Sequence, residues 1–219
     1  MVTELKYELK YKFPHWGPFV FETTVDDELI KILLHKGRES KEKNLDNRKH
    51  LAGQIEREYY YTDYDEWFKP IFEIYVNGYL DGVVDRMEFP FVGLGLNCAE
   101  GSKLKWTLED LWINFQRQGE YNPLHNHKGH LSFVIYLQVP EEIVNEDKIT
   151  KGVYNNEGPG RIVFNYGEKL PFNISGFNKL PEKGDLFMFP SWLKHFVYAF
   201  KSNVERISVS GNIRIKEQE

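Results

Sequence analysis

The stretch EYNPLHNHKGHLSFVIYL, residues 120–137, holds three of the chain's seven histidines within six positions and then enters an apolar run with the texture of a strand. His125 and His127 are two residues apart, so on extended backbone both imidazoles point to the same side of a sheet. That is an easy way to offer two ligands to one ion, and imidazole suits iron, zinc, copper and nickel. A polar turn would show the same three letters, so the pair alone does not decide. A third ligand would have to come from a distant strand. His195, in FPSWLKHFVY (189–198), stands at the opening of another apolar run and fits that need. His15, His35 and His50 lie in polar or turn surroundings and read as surface residues.

Working outward, the chain after residue 105 is a series of short β-like runs separated by Gly, Pro and Asn. They are LEDLWINFQ (108–116), LSFVIYLQV (131–139), GRIVFNYG (160–167), LPFNISG (170–176), GDLFMFP (184–190), KHFVYAF (194–200) and ERISVSGNIRI (205–215). Such a series predicts a sandwich or barrel. Upstream, ELKYELKYKF and FVFETT alternate like strands. DDELIKILLHKG (26–37) reads as an amphipathic helix capped by Asp26 and stopped by Gly37. RESKEKNLDNRKH (38–50) reads as a solvated loop. In residues 61–82, Trp67, Ile71, Ile74 and Tyr75 recur at helical spacing, and Pro70 must kink that helix or sit in the first turn of a second one. Trp67, Ile71, Tyr75, Trp106 and Trp112 are expected in the core. The predicted fold class is α+β, mainly β, with N-terminal helices covering one face of a C-terminal double-sheet barrel.

Composition narrows the function. The 219 residues suit one domain, here divided into N-terminal support (1–105) and barrel core (106–215). A net charge of −5 with scattered Lys and Arg gives no basic stripe, so no nucleic-acid partner is expected. MVTELKYELKYKF lacks a signal-peptide core, and no run of roughly 18 apolar residues offers a membrane span. The chain reads as a soluble, cytoplasmic protein with no membrane partner. Its single cysteine, Cys98, excludes an internal disulfide and a Cys-based zinc knuckle, and reads as a small buried hydrophobe.

Downstream of His195, RISVSGNI places Arg206 and Ser208 on one face of a predicted strand. A guanidinium beside a hydroxyl suits a bidentate grip on a carboxylate. An isolated arginine would more often be a surface ion-pair partner. Arg206, however, opens a largely apolar strand that follows a histidine strand, and so is expected to face inward.

The ordered set FQRQGEYNPLHNH, LSFVIYLQVP, EKGDLFMFPSWLKHFVYAF and ERISVSGNI resembles the 2-oxoglutarate and Fe(II)-dependent oxygenases, in particular the prolyl-4-hydroxylase-like branch with its microbial and phage-encoded members. The resemblance covers roughly residues 110–215, and KHLAGQIEREYY (49–60) resembles an N-terminal segment of the same group. It implies a double-stranded β-helix, or jelly roll, with supporting helices. It also implies Fe(II), 2-oxoglutarate as cosubstrate and O2, with a protein or peptide, through a prolyl residue, as a possible substrate. If the chain is phage-encoded, the cytoplasm is the host's. By resemblance, His125 matches the first metal ligand and His195 the last. Arg206 matches the residue that binds the distal carboxylate of 2-oxoglutarate, Ser208 completes an Arg-x-Ser pair, and Tyr136 falls where related hydroxylases carry a tyrosine reaching the same carboxylate. Asn114 and Asn212 are further pocket candidates.

One position departs from the pattern. The family's usual motif is His-x-Asp or His-x-Glu, and here His127 stands where the carboxylate should be. Three readings follow: His127 binds the metal in a neutral three-histidine site, Glu120 supplies the carboxylate, or water fills the gap. The first is favoured because His127 holds the same position. Losing an anionic ligand leaves more positive charge on the metal, which should tighten its hold on a dianionic cosubstrate. His130 reads as a neighbouring or exposed residue rather than a ligand. Two other functions stay in view. One is a three-histidine, cupin-like dioxygenase that does not use 2-oxoglutarate, against which Arg206 and Ser208 argue; the other is a non-catalytic metal or small-acid binding module.

Overall fold

The structure is a computed structural model describing residues 17–88, 91–94, 104–153 and 158–217. Cys98, His15 and the alternating segment 4–13 lie outside the described residues. Among the described residues, ten strands form two antiparallel sheets. β1 (Phe21–Thr24), β8 (Asp185–Pro190), β5 (Leu131–Gln138), β10 (Arg206–Glu217), β3 (Leu104–Gln116) and β2 (Glu58–Tyr60) make up the larger sheet in that order. β4 (Asn122–His125), β9 (Lys194–Val197), β6 (Ile162–Asn165) and β7 (Gly176–Lys179) make the smaller one. This is the expected jelly roll. The first two strands extend the large sheet at its edges, so the N-terminal support is woven into the barrel.

Parity along the long strands sorts the residues into two faces, because successive side chains in a strand point opposite ways. Ile113 and Phe115 of β3, Phe133 and Ile135 of β5, Leu186 and Met188 of β8, and Ile207 and Val209 of β10 all belong to one apolar cluster. It is covered by α1 (Asp27–Glu42) and α3 (Lys69–Val84), whose Leu33, Phe72 and Val76 are fully buried in it. Phe72 packs on Phe133 at a ring separation of 4.4 Å, and Phe68 stacks on both. The intervening residues, among them Asn114, Gln116, Ser132, Tyr136, Arg206 and Ser208, are equally buried but face the barrel interior.

Local chemistry explains the helices. Asp26 caps α1 by accepting from the Leu29 N–H at 2.8 Å, as its position predicts. Gly37 does not stop that helix, which runs on through part of the segment read as a loop. A Cβ at Gly37 would lie 2.3 Å from Ile113 Cδ1, so the glycine is there to let α1 lie close on the sheet. Pro70 sits in the first turn of α3, directly after the short α2 (Tyr64–Trp67), where a missing N–H costs nothing. Ile71 is a correction: it is 42% exposed, and Ile74 also faces solvent. α3 starts a residue before the proline, which turns Phe68, Phe72, Val76 and Tyr79 inward instead; Trp67 and Tyr75 pack only at the margin. LPFNISG is not a strand either. Phe172 and Ile174 are exposed there, and β7 begins only at Gly176. A helix the sequence did not suggest, α4 (Glu141–Val153), bridges β5 and β6. It is pinned by a buried Arg161–Asp147 fork with bonds of 2.7 and 2.8 Å. No helix among the described residues is long and apolar enough to cross a membrane.

Candidate metal centre

His125 ends β4 and lies directly opposite His195 in the β4–β9 ladder. His127 follows two residues on, its backbone N–H donating to Ser191 O at 2.9 Å, which fixes it beside the turn that leads into β9. The three rings sit within 4.3–5.0 Å of one another, centroid to centroid, and their candidate donor atoms all lie within 4.8 Å. Nδ1 of His125 is 2.7 Å from Pro123 O, and Nδ1 of His195 is 3.0 Å from Leu193 O. A ring nitrogen facing a carbonyl carries the proton, so both residues present an Nε2 lone pair to the cluster.

Those lone pairs have no proton to occupy them. Burial drives all three imidazoles toward the neutral form: His125 is lowered, His127 falls to about 2 and His195 to about 3, with the neighbouring rings adding to burial in the last two. Nε2 of His127 and Nε2 of His195 approach to 3.2 Å. Two nitrogens on one ion at about 2.1 Å each, at right angles, stand about 3 Å apart, so this spacing fits a shared metal. Glu120 is held elsewhere: its carboxylate accepts the backbone N–H groups of Glu56 at 2.9 Å and Arg117 at 2.7 Å. His130 also lies apart, its Nδ1 accepting from Ile215 N–H at 3.0 Å. Trp112, expected only as core, is buried but faces the cavity with its ring 5.9 Å from that of His127.

The same cavity is lined by Arg206, 3% exposed. One terminal nitrogen donates to Gly160 O and the other to Gln116 Oε1, while its Nε has no partner among the described residues. Its guanidinium lies 5.3 Å from the centre of the Tyr136 ring and 5.9 Å from that of Phe200. Among the described residues no carboxylate pairs with it. Burial lowers its affinity for the proton, against which the neighbouring Tyr136 acts; the Tyr136 hydroxyl is itself raised to about 12 by burial. A buried cation held only by neutral groups is short of an anion. Ser208, two residues on, shares the inner face and accepts from Asn114 Nδ2 at 3.4 Å. Asn212 is tied to Ser132 and Asp110 and lines the outer mouth instead. Glu58, Gln116 and Asn122 also line the cavity and were not anticipated. A charged residue in IEREYY carries no sign of burial in its sequence.

Residues 110–212 match the model of a family described as putative 2OG-Fe(II) oxygenase. A search of curated proteins gave no match. The fold is similar to that of a Pseudomonas putida prolyl-4-hydroxylase, at 14% identity and a TM-score of 0.53, over 89% of this chain and 91% of that one. It is similar, at 13% identity and a TM-score of 0.53, to the viral collagen prolyl hydroxylase of Paramecium Bursaria Chlorella virus-1 in its 2OG complex, over 90% and 96% of the two chains. A Trichoplax adhaerens prolyl hydroxylase in complex with a hypoxia inducible factor peptide fragment matches at 9% identity and a TM-score of 0.51, over 92% and 84%. The jelly-roll fold expected from the sequence is thus shared with these structures, and the resemblance to prolyl-4-hydroxylase-like 2OG-Fe(II) oxygenases carried by the sequence is borne out.

Proposed function

We propose that the chain is an Fe(II)- and 2-oxoglutarate-dependent oxygenase that hydroxylates a C–H bond of its substrate. His125, His127 and His195 hold the iron, and Arg206, with Ser208 and Tyr136, holds the distal carboxylate of 2-oxoglutarate. The observation that carries this reading is the pairing, in one cavity, of three neutral imidazoles on a common spacing with a buried arginine that finds no counter-ion among the described residues. Iron held by these three imidazoles would supply the oxidative chemistry, using O2 and 2-oxoglutarate. The chain's own residues orient and exclude. Pro123 O and Leu193 O fix the tautomers of His125 and His195, and Phe164 and Phe189 pack against the His195 ring at 5.8 and 4.7 Å to keep water from it.

Arg206 fixes the cosubstrate's far end, and Gln116, which donates to Glu120 O at 2.6 Å, holds the guanidinium in place. The single-domain reading accords with β1 and β2 completing the large sheet. A prolyl residue in a peptide is the substrate suggested by the similar structures, and a cytoplasmic setting accords with the sequence. The test is metal analysis of purified protein, with succinate measured when 2-oxoglutarate, iron and oxygen are supplied. Calorimetry with the metal-loaded protein then compares wild type with Arg206→Lys. Losing the planar fork should weaken 2-oxoglutarate roughly ten- to a hundredfold, the equivalent of about 1.5–3 kcal/mol, and leave metal content unchanged. Equal affinities, or no binding to wild type, would favour a metal-binding module or an oxygenase that does not use 2-oxoglutarate.

A further inference from the structure

The wall of the cavity formed by β2, β4 and the 51–57 segment carries acceptors and no donor charge. Glu58 pairs across the β2–β3 ladder with Asn114 and points to the same inner face; the residue is 2% exposed and its Oε2 has no hydrogen-bond partner among the described residues. Asn122 Oδ1 and Asn114 Oδ1 are buried and unpartnered beside it. Two of these groups converge. The point where a Cβ of Gly53 would stand lies 2.5 Å from Asn122 Oδ1 and 2.7 Å from Glu58 Oε1, so only a glycine leaves both oxygens in place.

The cations of the neighbourhood are engaged elsewhere. Arg48 forks onto Asp46 with bonds of 2.7–3.1 Å, Arg57 reaches Glu205 at 3.4 Å, and Arg206 binds Gly160 and Gln116. The groups whose charge reaches the Glu58 carboxyl are Glu120 and Asp46, which raise it, and Arg48, which lowers it; burial is the largest effect and brings it to about 8. A buried carboxyl among unpaired amide oxygens costs free energy unless a donor arrives to satisfy it.

We infer that Glu58, Asn122 and Asn114 form the substrate-selecting wall of this cavity and take a cationic N–H donor, the ammonium or guanidinium of a basic substrate. This rests on the oxygenase reading, and it assigns the two ends of the cavity opposite charge preferences: Arg206 for an anion, Glu58 for a cation. None of the three residues is among the metal-holding imidazoles, so the two readings fail separately. An arriving cation ionises the carboxyl, and a proton leaves for solvent.

The experiment is calorimetry on metal-loaded protein with 2-oxoglutarate present and oxygen excluded, at pH 7 in two buffers of different ionisation enthalpy. The probes are L-arginine and L-lysine, their neutral counterparts L-citrulline and L-norleucine, and short peptides with one internal residue of each kind. Cationic probes should bind at least tenfold more tightly than neutral ones and release a proton, and the better arm separates a free amino acid from a residue in a chain as the source. Glu58→Gln should abolish both the preference and the proton release while metal and 2-oxoglutarate affinities stay at wild-type values. Asn122→Leu, which leaves the carboxyl in place, should weaken the same probes and keep the proton release. Equal binding of charged and neutral probes, no binding of any, or a preference that survives Glu58→Gln would overturn the inference while the oxygenase reading stands. Loss of metal or 2-oxoglutarate binding by wild type would instead count against that reading.

Discussion

The two faces of the large sheet are built from the same four long strands and are equally buried, yet they do opposite things. The face under α1 and α3 is apolar, with the aromatic rings of Phe68, Phe72 and Phe133 packed together. The inner face buries Glu58, Asn114, Gln116, Arg206 and Ser208, and leaves Glu58 Oε2, Asn114 Oδ1 and Arg206 Nε without partners. Stability is concentrated on one parity of the strands and unspent polarity on the other. Unsatisfied groups cost free energy that a cavity without ligands would have no reason to retain.

The two faces should differ most at the imidazoles. His195→Ala should remove bound metal completely, read by elemental analysis, while circular dichroism shows an intact fold, because the ring contributes to the site and not to the helix-covered core. Next in size is Phe133→Ala on the apolar face. It should cost about 3–5 kcal/mol in denaturant unfolding and leave the metal-to-protein ratio of the folded fraction unchanged. A loss of metal in proportion to stability would mean that the two faces are not independent.

Glu58 gives a smaller and pH-dependent effect. Its folded-state value near 8 lies above the ordinary 4.5, so the folded protein holds this proton more tightly than the unfolded chain does. The carboxyl is therefore tolerated best below pH 4.5 and becomes a growing burden as pH rises through 8. Glu58→Gln should match wild type near pH 4.5 and exceed it by about 1–3 kcal/mol at pH 9, measured by urea unfolding without ligands. A difference of the opposite sign would place a cation beside the carboxyl. The smallest change is expected at Ile71, where exposure on the outer side of α3 should hold the cost of Ile71→Ala to within about 0.5 kcal/mol.

Much of this was open to reading in the residues themselves. The Asp26 cap, the strand runs and the two-residue step from His125 to His127 depend on nearest neighbours, and local rules suffice for them. Arg206 and Ser208 face inward as their spacing on one strand implied, since parity is fixed once a single neighbour is known to be in the core. Where the reading failed, the cause was remote. Gly37 resembles a helix stop until Ile113 is seen 76 positions away, pressing where its Cβ would be. The phase of α3 was set by Phe68 and Phe72 meeting Phe133, which moved Ile71 to the surface.

Glu58 shows the limit most clearly. Nothing in IEREYY separates it from the solvated charges around it. It is buried because β2 pairs with β3 and because the 51–57 segment folds over it, held by Gln54 N–H donating to Tyr121 O at 2.8 Å and by Glu56 N–H donating to Glu120 at 2.9 Å. The sequence alone determined the barrel strands and the inward placing of the three histidines and Arg206, because alternation and side-chain chemistry are local properties. Which polar groups were left buried and unpaired was decided only when distant segments closed on one another, because satisfaction of a hydrogen bond belongs to a pair of groups and not to either residue.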